Sequence, residues 1–220
     1  HRTLGKEMDF VSVHEETGPG LIILHPKGAR VRNIFENFWR EEHYKRGYDL
    51  IYTPNIGRAN LWQTSGHLDF FKENMFSPSE TDGQDYYLKP MNCPFHIMYY
   101  KSSLRSYREL PMRIGERGTV YRYERGGTLH GMMRVRSFTQ DDAHIFCTED
   151  QITQECIELT NLIISIYKDF GFSNIKINYA DRPKKRVGDD KIWDKSEKAL
   201  LEAVKKTGVE NEINEEKGDF

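Results

Sequence analysis

Apolar residues recur along this chain with two different periods, and the changes of period mark its elements. Val31, Ile34, Phe35 and Phe38 fall at helical spacing, which predicts a helix of about four turns running to Arg46. Gly47 then supplies a left-handed stop. A stronger stripe, Ile152, Cys156, Leu159, Ile163, Ile166 and Phe170, predicts an amphipathic helix closed by Gly171. A further helix is expected over residues 191–206, and a short one over 60–64 that breaks at Gly66. Elsewhere the period shortens. Residues 48–53 (stopped by Pro54), 86–88, 113–124, 132–138, 143–147 and 174–179 read as strands. A short apolar run over 21–24 lies between the turn Gly18-Pro19-Gly20 and Pro26-Lys27-Gly28, which is read as its end. Consecutive strands joined by hairpin-like loops, with helices around them, predict an α+β fold built on an antiparallel sheet flanked by helices.

Composition narrows the class. A hydrophobic share of 37% and a charged share of 30% suit a water-borne domain with a real core, one large domain or one and a half small ones. No run approaches the roughly 18 apolar residues of a membrane span. No charged-then-apolar leader marks the start, so export is not indicated. The chain opens at His1 and stops at Phe220 after a strand-like segment, which reads as an excised piece of a longer protein. Cys93, Cys147 and Cys156 are odd in number and lack paired spacing. That argues against a disulfide scaffold and for a reducing compartment, the cytoplasm or an organelle.

The net charge of -2 matters less than its distribution. Residues 105–136 hold eight Arg against Glu109, Glu116 and Glu124, a local +5, whereas residues 207–220 hold one Lys against five acids, a local -4. The basic stretch is where a polyanion would sit. Within it, Arg122-Tyr123-Glu124 precedes a loop carrying Gly126, Gly127, His130 and Gly131, and Arg134 and Arg136 return on the next segment. A guanidinium fork fits phosphate oxygens, a nearby Glu can accept from an exocyclic amine, and Phe138 can stack on a base. An exposed cross-strand ion pair is the competing reading. Two further donors bracket this stretch. Cys93 follows Lys89-Pro90-Met91-Asn92, and His144 closes Gln140-Asp141-Asp142-Ala143. Thiolate and imidazole both suit zinc, but the spacing matches no compact zinc finger, and core packing of both residues in strands is the alternative. Gln140, Asp142 and His144 point to one face of a strand, a polar row suited to a cleft. Asp142 can accept from a substrate ammonium, and Asp141, on the other face, is expected to pair with an Arg. Cys147 and Cys156 read as packing residues. His67, after Gly66, reads as a capping or surface histidine, and His130 as an exposed loop residue.

Six segments carry a family resemblance: Leu61-Trp-Gln-Thr-Ser-Gly-His67, Lys72-Glu-Asn-Met-Phe76, Lys89-Pro-Met-Asn-Cys-Pro94, Tyr107-Arg-Glu-Leu-Pro-Met-Arg113, residues 129–147 and residues 182–188. Together they resemble the catalytic domain of the threonyl-tRNA synthetase family, class II aminoacyl-tRNA synthetases. The resemblance spans essentially the whole chain. It implies a partial class II catalytic domain over 1–220, with motif 1 at about 28–54 forming a homodimer interface and motif 2 at about 113–144. Motif 3 is expected beyond the C-terminus, where the fold would be completed. It implies that Arg122 holds the α-phosphate of ATP, Glu124 reads the adenine amino group, Phe138 stacks on adenine and Arg134 contacts the γ-phosphate. Cys93 and His144 become two of three protein ligands to zinc, the third lying beyond Phe220. Met91 borders the amino-acid pocket, Gln140 and Asp142 contact threonine, and His67 assists transfer to the terminal ribose of tRNA(Thr). Mg²⁺ accompanies ATP. Two positions depart from the family pattern: Tyr123 stands where Asn is common, and Phe95 where Gly is common. Rival readings are an inactive or partner-dependent fragment, another ATP-dependent ligase on the class II scaffold, and a structural zinc module, which would need four closed ligands.

Overall fold

The chain begins with two elements that the apolar pattern does not announce, α1 (Arg2–Glu7) and β1 (Val11–Ser12); β1 pairs antiparallel with β2 (Ile23–Leu24), which lies in the apolar run noted over 21–24. The structure, a computed structural model, describes residues 1–184, 186–208 and the backbone of 211–214. Most of the acidic stretch noted over 207–220 lies outside the described residues. The chain divides into two units, residues 1–106 with 112–144, and residues 107–111 with 145–220.

In the first unit Pro26 opens a helix instead of ending a run. α2 spans Pro26–Lys45 with the proline in its first turn, where its missing N–H costs nothing. Gly28 is required there, because a Cβ would lie 2.3 Å from the Phe10 carbonyl oxygen. Gly47, at φ 74°, follows the helix end as expected. The buried face of α2 carries Trp39 and His43, while Val31, Ile34 and Phe35 of the predicted stripe are exposed. Of the strand predicted over 48–53 only β3 (Asp49–Leu50) is regular.

β4 (Ile56–Arg58), α3 (Ala59–Thr64) and α4 (His67–Phe70) lead to β5 (Ser79–Thr81) and β6 (Gln84–Leu88). β6 pairs antiparallel with both β4 and β5. Trp62, Met75 and Tyr87 form a buried cluster under this sheet, with Leu61, Leu68, Phe71 and Phe95 packed around it. Next come α5 (Cys93–Lys101), β7 (Met112–Tyr121) and β8 (Ser137–Phe146). β8 replaces the two separate strands predicted over 132–138 and 143–147. Residues 130–134 form a tight turn of their own, bridged between His130 and Arg134, so the strand starts only at Ser137. β3, β7 and β8 form one sheet in that order. β7 and β8 run antiparallel, since Thr119 meets Thr139 and Arg122 meets Arg136. β3 pairs with β7 in parallel, which the hairpin reading did not include.

In the second unit α6 (Ile152–Asp169) follows a capping box, in which the Thr148 N–H donates to Gln151 Oε1 at 2.9 Å. Gly171, at φ 82°, ends its turn as expected. β9 (Ile177–Ala180), α7 (Asp190–Thr207) and β10 (Asn211–Asn214) form a strand–helix–strand crossover with parallel strands. Asp189 caps α7, and Gly208, at φ 67°, follows its last turn. No described helix is long and apolar enough to cross a membrane.

Candidate active site

The segment from Lys89 to His96 is the hub of the site. The Lys89 N–H donates to Asn55 O and its carbonyl accepts from Tyr121 N–H, both at 2.9 Å. These bonds lock the segment between the end of β4's approach and the end of β7. The Lys89 side chain is fully buried. Its Nζ donates to Thr53 Oγ1 at 2.8 Å and lies 3.4 Å from Glu116 Oε1. Glu116, also buried, accepts from the Thr53 N–H at 2.8 Å and from His96 Nε2 at 3.0 Å. Burial pushes the Glu116 carboxyl up, but the hydrogen bonds from His96 and Thr53 and the Lys89 charge outweigh it. The group is held below the usual carboxylate range.

Cys93 begins α5; it does not lie in a strand. Asn92 precedes the helix and Pro94 sits in its first turn, a start signal that needs no tertiary information. Asn92 and His96, four apart, lie on one face of that start. Asp142 and His144, two apart, lie on one face of β8. Four helical residues rise about 6 Å and two strand residues about 6.6 Å, so the two pairs match end to end. Asn92 Nδ2 donates to Asp142 Oδ2 at 2.8 Å, and His96 Nδ1 meets His144 Nδ1 at 2.8 Å. Close approach is possible because Gly118 of β7 lies beneath Asn92, where a Cβ would come within 2.2 Å of its amide nitrogen. Burial pulls the His144 imidazole below its ordinary pKa, against the neighbouring Asp142 charge.

The arginine side of the site is more open. Arg122 Nε donates to Pro90 O at 3.1 Å, so the same hub holds it. Its guanidinium lies 5.3 Å from the Phe138 ring centroid and 5.7 Å from that of Phe71. Glu124 and Arg134 are joined, Arg134 Nε donating to Glu124 Oε2 at 3.0 Å. The pair joins the segment just after β7 to the segment just before β8, so it is an ion pair between loop residues and not a cross-strand one. Arg136 Nε donates to the Glu124 carbonyl and its guanidinium packs over Tyr123. Tyr123 therefore faces outward, with no part in the hub.

Not every expected residue joins. Gln140 borders a cavity of about 610 Å³ lined also by Phe35, Trp39, Arg117 and Phe138, and neither Asp142 nor His144 lines it. The polar row thus does not open onto that cavity as a unit. Met91 is half-buried between Pro90 and Asn92. Asp141 pairs with His43 Nε2 at 3.2 Å where an Arg was expected; His43 is presented by the buried face of α2. His67 is buried, not a surface histidine. It accepts or donates to Ser65 Oγ at 2.9 Å through Nδ1, sits edge-on to Trp62, and is pulled below its ordinary pKa by burial. Phe95 fills its side of the site by packing on Trp62, 5.8 Å away. Cys147 and Cys156 are half-buried in the second unit, and burial pushes both thiols up. No group of three or more Cys, His, Asp or Glu is arranged around a metal among the described residues. Sequence reasoning passed over Lys89, His96 and Glu116 as functional, although Lys89 and Glu116 lie in segments it quoted or counted and His96 stands two residues beyond one of them.

The geometry can be set beside known proteins. The family model of the tRNA synthetase class II core domain (G, H, P, S and T) matches residues 75–213. Proteins described as threonine--tRNA ligase from Synechococcus sp. (strain CC9311) and Borreliella burgdorferi (strain ZS7) are 53% and 55% identical over all 220 residues. The chain covers 36% and 38% of their lengths, so it spans little more than a third of these relatives. The crystal structure of the RNA binding domain of threonyl-tRNA synthetase from Cryptosporidium parvum Iowa II superposes with a TM-score of 0.91 at 39% identity, covering all of this chain and 55% of that one. The fold, an α+β core of mostly antiparallel sheets flanked by helices, and the sequence agree: this chain belongs to the class II tRNA synthetase core-domain family, among its threonyl members.

Proposed function

We propose that the protein containing this chain activates threonine with ATP to threonyl-adenylate and transfers it to tRNA(Thr). The observation that carries this reading is the hub at 89–96. One rigid segment holds Arg122 through Pro90 O, Asp142 through Asn92 and His144 through His96. A phosphate-binding guanidinium and an ammonium-binding carboxylate are thereby kept in fixed register, as joining a carboxylate to a nucleotide requires.

In this reading the threonine carboxylate attacks the α-phosphorus, the bond to the β-phosphate breaks and pyrophosphate leaves, and Arg122 neutralises the charge that develops at the α-phosphate. Arg134 reaches the γ-phosphate, Mg²⁺ accompanies ATP, Glu124 reads the adenine amino group and Phe138 stacks on the ring. Asp142 accepts from the threonine ammonium, with Gln140 and Met91 bordering the amino acid. His67 assists the later transfer to the ribose hydroxyl. The donor set fits zinc: a soft thiol at Cys93, and at His144 an imidazole with one ring nitrogen engaged by a buried partner. Cys93 and His144 would hold the ion together with a third protein ligand beyond Phe220. Bound zinc would read the threonine hydroxyl, a distinction a plain pocket makes only about a hundredfold. The exposed Val31, Ile34 and Phe35 of α2 support motif 1 as a homodimer face. The test is threonine-dependent ATP–pyrophosphate exchange by the full-length protein. Arg122→Ala should lower its rate by about a hundredfold or more; an unchanged rate would remove Arg122 from the phosphate site.

A further inference from the structure

Glu116, His96 and His144 form a chain of contacts whose protons can be counted. A carboxylate only accepts, so His96 Nε2, 3.0 Å from Glu116 Oε2, carries its proton. A neutral imidazole has a single N–H, which leaves His96 Nδ1 as a lone pair. That lone pair lies 2.8 Å from His144 Nδ1, so the proton between them belongs to His144. His144, neutral in turn, then has its lone pair on Nε2. The alternative puts a proton on both nitrogens of His96. That would bury a second cation in contact with a carboxylate already balancing Lys89, whose side chain is 0% exposed. Asp142, whose charge acts on His144, accepts from Asn92, so a cation on His96 would share the single carboxylate of Glu116 with Lys89, and a buried charge that shares its counter-ion is strongly disfavoured. Lys89 therefore selects the neutral chain by occupying Glu116 first. Thr53 reinforces this, since its N–H and hydroxyl fill the remaining acceptor sites of Glu116.

We propose that Glu116 and His96 are positioning residues that fix His144 as the Nδ1–H tautomer, with Nε2 bare and free to bind a metal. The need for a bare Nε2 rests on the zinc reading above; the tautomer itself rests only on the hydrogen-bond chain. Ligand histidines are commonly oriented by a carboxylate or carbonyl on the other ring nitrogen. Here a second imidazole stands between the carboxylate and the ligand. It lengthens the relay from the fully buried Glu116–Lys89 pair out to the half-buried His144.

The tautomer can be read directly in the metal-free full-length protein labelled with ¹⁵N-histidine, with His144→Gln used to assign the signal. His144 should show a protonated Nδ1 and a bare Nε2. Glu116→Gln should invert the chain, because the amide oxygen will face Thr53 N–H and Lys89 while its NH₂ faces His96. His144 should then carry its proton on Nε2, and zinc affinity, measured by competition with a chromophoric chelator, should fall about 10–100-fold. If that variant fails to fold because Lys89 is left unbalanced, the Lys89→Met, Glu116→Gln double variant removes both charges and should show the same inversion. A wild-type His144 protonated at Nε2, or a folded Glu116→Gln variant with zinc affinity within twofold of wild type, overturns the proposal. A wild-type protein that shows the expected tautomer and takes up no zinc supports the relay and removes the zinc reading instead.

Discussion

Two regions of the first unit manage charge in opposite ways. Around Lys89, an ammonium, a carboxylate and an imidazole are buried together, at 0%, 3% and 0% side-chain exposure. Around Glu124, the charges meet near solvent, with Arg134 59% exposed. A buried set is costly to assemble and costlier to break, so it holds one geometry. An exposed pair contributes about 0–1 kcal/mol and releases its members readily. The contrast suits the proposed division of labour. The amino-acid side needs a fixed reading geometry, whereas Glu124 and Arg134 must leave each other to engage adenine and phosphate.

The contrast breaks first at Glu116. Glu116→Ala strands a fully buried ammonium and should cost about 3–5 kcal/mol in denaturant unfolding; a loss below about 1 kcal/mol would mean that Lys89 finds other partners. Protonation of His67 gives a smaller effect. Its pKa is lowered on folding by burial, so between about 6.5 and that lower value the unfolded chain binds the proton and the folded chain does not. Stability should therefore fall as pH drops through this window, by up to about 1.4 kcal/mol per pH unit. His67→Gln should remove that part of the slope; an unaltered slope assigns it to other groups. The smallest effect is expected at the exposed pair. Arg134→Ala should change stability by less than about 1 kcal/mol while raising the KM for ATP. A large stability loss would show that the pair is structural.

The long helices α2, α6 and α7 are legible because their apolar residues recur at helical spacing and a glycine follows each end, signals that are local. β8 is not, because nothing in its residues separates a continuous ten-residue strand from two short ones; the turn at 130–134 decides where it begins. The start of α5 is legible in the residues themselves, since Asn92 and Pro94 flank Cys93 in the pattern that opens a helix. The exposure of Val31 and Ile34 shows the limit of periodicity, which finds an apolar face without saying what covers it. The Lys89–Glu116–His96 set illustrates the same limit in the site. Single charged residues in separate segments look like surface, and only the fold brings them inside.

In the proposed function Cys93 and His144 would read threonine through zinc, while Arg122 and its neighbours would hold ATP independently. Cys93→Ser in the full-length protein, measured for bound zinc and for threonine-dependent ATP–pyrophosphate exchange, tests this most directly. The proposed function requires loss of zinc and of most threonine activation with ATP binding retained. Full zinc content together with full threonine activation would contradict it.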